Sequence, residues 1–267
     1  MSEQFDLLIR HATIIDGMRT PRFVADIGVR GDRVVRIGRL DAASAAQEID
    51  GDGKVAAPGF IDVHTHDDRL MLSGADMAPK VSQGVTTVVA GNCGISLAPM
   101  PGGMRGAVTP PLDLLDDQGG WFKFPKMGDY VEELRARPAA TNCALLVGHT
   151  TLRVATMDSL DRAATAAEIG RMREMTREAL AAGAIGFSTG LYYEPACAAP
   201  TQEVIDICRP LREFNGIYCT HMRNEAETVL DSLDESFLTG RELGVPVGVV
   251  AGRLICSCIR ERRDMRR

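Results

Sequence analysis

The sequence predicts an α/β protein: a short antiparallel β module, then βα units that build a parallel sheet of the (β/α)8 barrel kind. Three observations predict it. The first sixty residues alternate short apolar runs with turn signals. From Lys54 onward, compact apolar runs are separated by helical stretches, the pattern of strands joined by crossover helices. Each of those runs ends just before a polar cluster, where barrels of this kind place their sites.

In the module, the runs are Asp6 to Ile15, Val24 to Val29 and Arg33 to Ile37, with Gly31-Asp32 marking a hairpin. The parallel strands are expected at Gly59 to Val63, Thr86 to Ala90, Ala144 to Val147, Ala184 to Phe187 and Gly216 to Cys219, with a sixth beginning at Val245. Before the fourth of these, Thr165 and Glu168 form a capping box. Ile169, Met172 and Leu180 share a face of the helix that follows, and Gly183 stops it. A second helix is expected from Gln202 to Phe214, ending at Asn215-Gly216. The Gly-, Pro- and Asp-rich stretch from Met100 to Trp121 reads as a long excursion above the barrel.

The chain has 267 residues, 45% hydrophobic and 25% charged, enough to bury a full core. A net charge of -6 and a pI near 5.5 argue against a general affinity for nucleic acid or anionic lipid, because such binding needs clustered Lys and Arg. The start, MSEQFDLLIR, carries no secretory pattern, and no apolar run approaches the roughly eighteen residues of a membrane span. The seven cysteines are an odd, scattered set, as expected of reduced thiols in the cytoplasm.

The chemistry gathers at the strand ends. His64 and His66 close the run Phe60-Ile61-Asp62-Val63, and a strand's period of two turns both imidazoles to one side, where they can share a metal. Cys93, in Asn92-Cys93-Gly94, ends the next run. It reads either as a small buried apolar residue or as a thiolate ligand that flanking glycines let the loop wrap around an ion. His221 follows the fifth run in Thr220-His221-Met222-Arg223-Asn224-Glu225, as a third imidazole or as a hydrogen-bonding histidine. Arg223 offers a fork for a substrate carboxylate, or a structural ion pair with a nearby Glu. In Ser188-Thr189-Gly190-Leu191-Tyr192-Tyr193 the hydroxyls lie at the same level, and Tyr193 either polarises a carbonyl or packs locally. His149 also ends a strand, and His11 reads as exposed.

These residues resemble the N-acyl-D-amino-acid deacylases, or D-aminoacylases, of the amidohydrolase superfamily. The resemblance runs from about Asp6 to Val247. Its most specific parts are Pro58-Gly59-Phe60-Ile61-Asp62-Val63-His64-Thr65-His66, Gly84-Val85-Thr86-Thr87 through Asn92-Cys93-Gly94, Gly186-Phe187-Ser188-Thr189-Gly190-Leu191 and Thr220 to Glu225. It implies a partial TIM (β/α)8 barrel of the amidohydrolase type with an N-terminal β-sandwich segment. The corresponding domains are 1–56 as the sandwich segment, 57–250 as an incomplete barrel and 251–267 as a non-native tail. It also implies Zn2+ as cofactor, with His64 and His66 holding one metal position and Cys93 with His221 contributing to the tightly bound zinc. Tyr193 would bind substrate, and Arg223 joins it as a substrate-binding candidate from the reading of the residues. The implied reaction is hydrolysis of a small-molecule N-acyl-D-amino acid to a carboxylate and a D-amino acid. An amidohydrolase acting on a cyclic amide or imide, or a non-catalytic zinc-binding fragment, are the alternatives.

The sequence departs from the family pattern after Val245-Pro246-Val247. A histidine ligand and a lysine are expected there, yet Gly248-Val249-Val250-Ala251-Gly252 follows and no histidine occurs beyond His221. The proton-shuttling aspartate and a substrate-binding arginine of the family have no counterparts. After Gly252 the chain carries six arginines and two cysteines without amphipathic period. A reading frame lost near Val247 is the expectation, with a shortened domain as its rival. A poorly soluble, weakly folded product is expected from an unclosed sheet, and the shortened chain itself is expected to be inactive.

Overall fold

The computed structural model describes residues 3–104, 106–251 and 254–257, with Ala251 and the last four given by backbone alone. The chain divides into two compact units, Met1–Phe60 and Ile61–Arg267.

The first unit holds β1 (Gln4–Ile14), β2 (Phe23–Arg30), β3 (Arg33–Gly38), β4 (Ser44–Asp50) and β5 (Val55–Ala56) in one five-stranded sheet. β1, β2 and β3 run antiparallel as their alternation predicts, and Gly31 turns the hairpin at φ +56°. The module is nevertheless mixed rather than purely antiparallel, because β4 and β5 both lie parallel to β1. The strand β4, Ser-Ala-Ala-Gln-Glu-Ile-Asp, is almost wholly exposed. Its place comes from ladder bonds and a cross-strand pair, Arg10 Nη2 to Glu48 Oε1 at 3.0 Å, and neither leaves an apolar period to read. Phe5, Leu8 and Leu40 form one small core, and Ala12, Ile14, Ala25 and Ile27 another.

The second sheet has seven strands: β6 (Phe60–Asp62), β7 (Val85–Ala90), β8 (Asn142–Gly148), β9 (Gly186–Gly190), β10 (Ile217–His221), β11 (Val247–Ala251) and β12 (Leu254–Ser257). Spatial order follows chain order without interruption. From β7 to β11 every neighbouring pair is parallel, so the sheet curls as a half-barrel. β12 turns back antiparallel on β11. Most of the expected tail 251–267 lies outside the described residues.

Between the strands run α1 (Leu70–Ser73), α2 (Ala78–Val81), α3 (Met127–Ala136), α4 (His149–Thr156), α5 (Ala166–Ala181), α6 (Glu194–Cys197), α7 (Thr201–Cys208) and α8 (Val229–Leu243). The capping box opens α5 as read from sequence: Thr165 Oγ1 accepts the Glu168 amide at 3.3 Å and Glu168 Oε2 accepts the Thr165 amide at 2.7 Å. The helix expected over 202–214 is shorter, giving way to a 3-10 turn at Arg209–Arg212, because Pro210 has no amide hydrogen to continue the α ladder. Strand residues Val88, Leu145, Val147, Phe187 and Tyr218 meet Met172, Leu180, Ile207 and Leu211 of the helical layer in one core. The 100–121 excursion is packed rather than loose. Met100, Leu112 and Leu115 are buried in that core, and the buried Asp116 accepts the Trp121 amide at 2.8 Å. No helix among the described residues is long and apolar enough to cross a membrane.

Candidate metal centre

His64 and His66 lie just past the end of β6, not within it, and the Thr65 amide between them donates to Val89 O at 3.1 Å, tying the pair to β7. Their rings stand perpendicular with centroids 5.5 Å apart. Cys93 follows β7 in a left-handed conformation, φ +54°, between Gly91 at +82° and Gly94 at +74°. The turn is pressed onto the ends of β8 and β9. A Cβ on Gly91 would stand 2.1 Å from Leu146 O, and one on Gly94 2.8 Å from Gly190 N.

This folding brings the sulfur to the histidines. Cys93 Sγ lies 3.3 Å from His64 Nε2 and 3.6 Å from His221 Nδ1. Ligand atoms of His64, His66 and Cys93 all fall within 4.8 Å of one another. His221, at the end of β10, reaches the group through Cys93, and its Nδ1 is also 3.3 Å from the Tyr193 hydroxyl. The opposite nitrogen, His221 Nε2, sits 3.1 Å from Glu225 Oε1. A carboxylate on that side fixes the tautomer and leaves Nδ1 with its lone pair toward the cluster.

Burial sets the protonation states. It lowers the pKa of His64 and of His221, and pushes His66 down to about 4 with His64 adding to the effect. The imidazoles are therefore neutral near pH 7, the form that binds metal. Burial also raises the Cys93 thiol to about 12 and the Tyr193 phenol to about 12. Such a thiol ionises only when a cation takes its charge. His64 turns Nε2 toward the sulfur, while His64 Nδ1 and His66 Nδ1 are buried without a hydrogen-bond partner among the described residues. Two imidazoles, a thiol and a third imidazole at this spacing suit zinc, which accepts nitrogen and sulfur together.

The other candidates are placed elsewhere. Arg223, a substrate-binding candidate from sequence, directs its guanidinium to the protein: Nε and Nη2 hold both oxygens of Glu235, at 3.0 and 2.8 Å, while Nη1 and Nη2 donate to Cys197 O and Ala199 O. His149 opens α4 fully buried, with Nε2 3.3 Å from Glu203 Oε1 and its ring against Phe187. His11 is exposed at a bulge in β1. Two contributors escaped the sequence reading. Glu225 is signalled by lying four residues after His221. Asp68 is a fully buried carboxyl, raised to about 7 by that burial, and it accepts the Gly91 amide at 3.1 Å.

Residues 47–255 match the sequence pattern described as the amidohydrolase family. The chain is 56% identical over 246 residues to a D-aminoacylase of Alcaligenes xylosoxydans xylosoxydans, covering 92% of this chain and 50% of that protein. It is 52% identical over 241 residues to the N-acyl-D-aspartate deacylase of the same organism, covering 90% of this chain and 48% of that one. Among solved structures, a D-aminoacylase crystal structure superposes with a TM-score of 0.89 at 54% identity, covering 92% of this chain and 51% of that chain. The N-acyl-D-glutamate deacylase of Bordetella bronchiseptica, complexed with zinc and a phosphonate mimic of the tetrahedral intermediate, gives 0.86 at 42%, with 92% and 51% covered. The chain spans about half the length of the curated relatives it matches. With the half-barrel and its histidine–cysteine cluster in place, the family pattern shows that the chain belongs to the amidohydrolase family, with its likeness on the D-aminoacylase side.

Proposed function

We propose that this chain carries the metal-binding half of a zinc-dependent deacylase that hydrolyses N-acyl-D-amino acids to a carboxylate and a D-amino acid. The observation that carries this reading is the convergence of His64, His66, Cys93 and His221 at the ends of β6, β7 and β10, with the Tyr193 phenol against it. Those four side chains would hold zinc. Bound there, the metal supplies Lewis-acid polarisation of the acyl carbonyl and lowers the pKa of water toward about 7.

The chain's own residues do the rest of the local work. Glu225 orients His221 through Nε2. Tyr193 stays protonated near neutrality, so its hydroxyl is a donor for the acyl oxygen or the substrate carboxylate. Leu191 and Tyr193 lie on the loop after β9, at the mouth that the ligands share. The D-amino-acid substrate class is supported by the likeness to D-aminoacylase and to the D-aspartate and D-glutamate deacylases. Turnover is assigned to a polypeptide of those relatives' length, and zinc capture to this chain.

Elemental analysis of the purified chain, beside hydrolysis assays on N-acetyl-D- and N-acetyl-L-amino acids with a polypeptide of the relatives' full length that contains it, tests this. Zinc retained by the chain and lost in Cys93→Ser is expected. A chain that binds no zinc refutes the metal reading, and cleavage of the L-series alone refutes the substrate class.

A further inference from the structure

We infer that Ser188 is the positioning residue for the Cys93 thiol, its hydroxyl pinning both ends of the Gly91–Gly94 turn so that the sulfur faces His64 and His221. The inference rests on the metal reading above and adds to it a residue that touches neither metal nor substrate.

Ser188 lies in the middle of β9 and is fully buried. A hydroxyl has one proton to give and lone pairs to accept with. Here Oγ accepts the Gly94 amide at 2.9 Å and donates to Gly91 O, so both bonds fall on the residues that bracket Asn92 and Cys93. Asp68 grips Gly91 from its other side, through the amide. A cysteine in the left-handed region is uncommon and persists where its surroundings leave it no alternative. The same strand supplies the rest of the mould, for a Cβ on Gly190 would meet Cys93 O at 2.2 Å.

The neighbouring hydroxyl does something else. Thr189 points to the opposite face of β9, as strand alternation requires, and bonds Thr220 Oγ1 at 2.7 Å and the Tyr218 hydroxyl at 2.9 Å. Its hydroxyl bonds run to β10 rather than to the Cys93 turn, yet it is equally buried. Nature thus provides a matched control on the same strand.

The test loads the whole chain with Co2+ and reads the thiolate-to-cobalt charge-transfer absorbance, metal affinity and thermal melt for the wild type, S188A, S188T and T189A. S188A should bind about 10- to 100-fold more weakly and show a smaller thiolate band per bound cobalt. S188T, which keeps the hydroxyl, should restore both. T189A should lower the melt while keeping affinity and band. Should S188A not fold, S188C keeps the bulk, weakens both bonds and is expected to fall between the wild type and the loss predicted for S188A. The inference is overturned if S188A or S188C matches the wild type in band and affinity, or if T189A loses as much as S188A. A wild-type chain that binds cobalt without a thiolate band overturns the ligand role of Cys93 itself, a failure of the earlier reading that is visible before any variant is made.

Discussion

Arg223 closes a two-pronged ion pair on Glu235, with Nε 3.0 Å from Oε2 and Nη2 2.8 Å from Oε1. The remaining donors hold Cys197 O and Ala199 O, so α8 braces the segment that follows Tyr193. Both side chains are mostly buried, and removing the cation strands a carboxylate together with two carbonyls. R223A should therefore cost about 1–3 kcal/mol. R223K should recover only part of it, since an ammonium cannot reproduce the fork. Urea midpoints for the three proteins check this, and an R223A midpoint equal to the wild type would contradict it.

A second brace is deeper. Arg153 and Glu203 are buried to 0% and 2% exposure, and Arg153 Nε also donates to Pro195 O at 2.6 Å. E203Q leaves a buried guanidinium without its counter-charge and should destabilise the fold by about 3–5 kcal/mol. Thermal melts would show it, and an unchanged melting point would argue that water reaches Arg153.

Stability should fall in acid through Glu168. The Arg162 guanidinium lies on both carboxylate oxygens at 2.8 Å, and the Thr165 amide and hydroxyl add to it, holding Glu168 down to about 2 from the ordinary 4.5. A carboxyl whose folded pKa is depressed gives its full contribution above the unfolded value and loses it as pH falls toward the folded one. The stability gap between wild type and E168Q should thus be largest above pH 4.5 and close between there and about 2. Urea titrations across that window measure it. A gap that widens in acid would reverse the sign.

The edge at β6 predicts association. β6 ends the order of its sheet, and Ile61 and Val63 are 61% and 45% exposed. An open apolar edge templates pairing with other chains, and a lysine placed there blunts it. I61K should lower light scattering at equal concentration. Equal scattering would place the sticky surface elsewhere.

The parallel strands were legible because buried strands of a parallel sheet read as apolar runs, and β7 and β8 fall within two residues of their expected bounds. Thr165, Glu168 and Gly183 fixed α5 through local chemistry alone. β4 was invisible because its partner, β1, lies far away in sequence and its own side chains face water. The cluster residues His64, Cys93 and His221 could be named from their strand ends, but not the partners that hold them. The glutamate near Arg223 in sequence, Glu225, instead faces His221, and the one that pairs with the arginine is on α8. Ser188 meets the Cys93 turn across more than ninety residues, a relation that only the packed sheet creates.

Because strands take their places in the order they are encoded, a growing chain releases the two imidazoles of His64 and His66 first, the thiol of Cys93 next and the ring of His221 last. At about 5–20 residues per second of synthesis, the first three donors are outside the ribosome for several seconds before the fourth is made. On the zinc reading, an ion captured in that interval would tether β6 to β7 while α5 and α7 are still being translated, and the supply of metal during translation would bear on how much of the chain reaches its folded form.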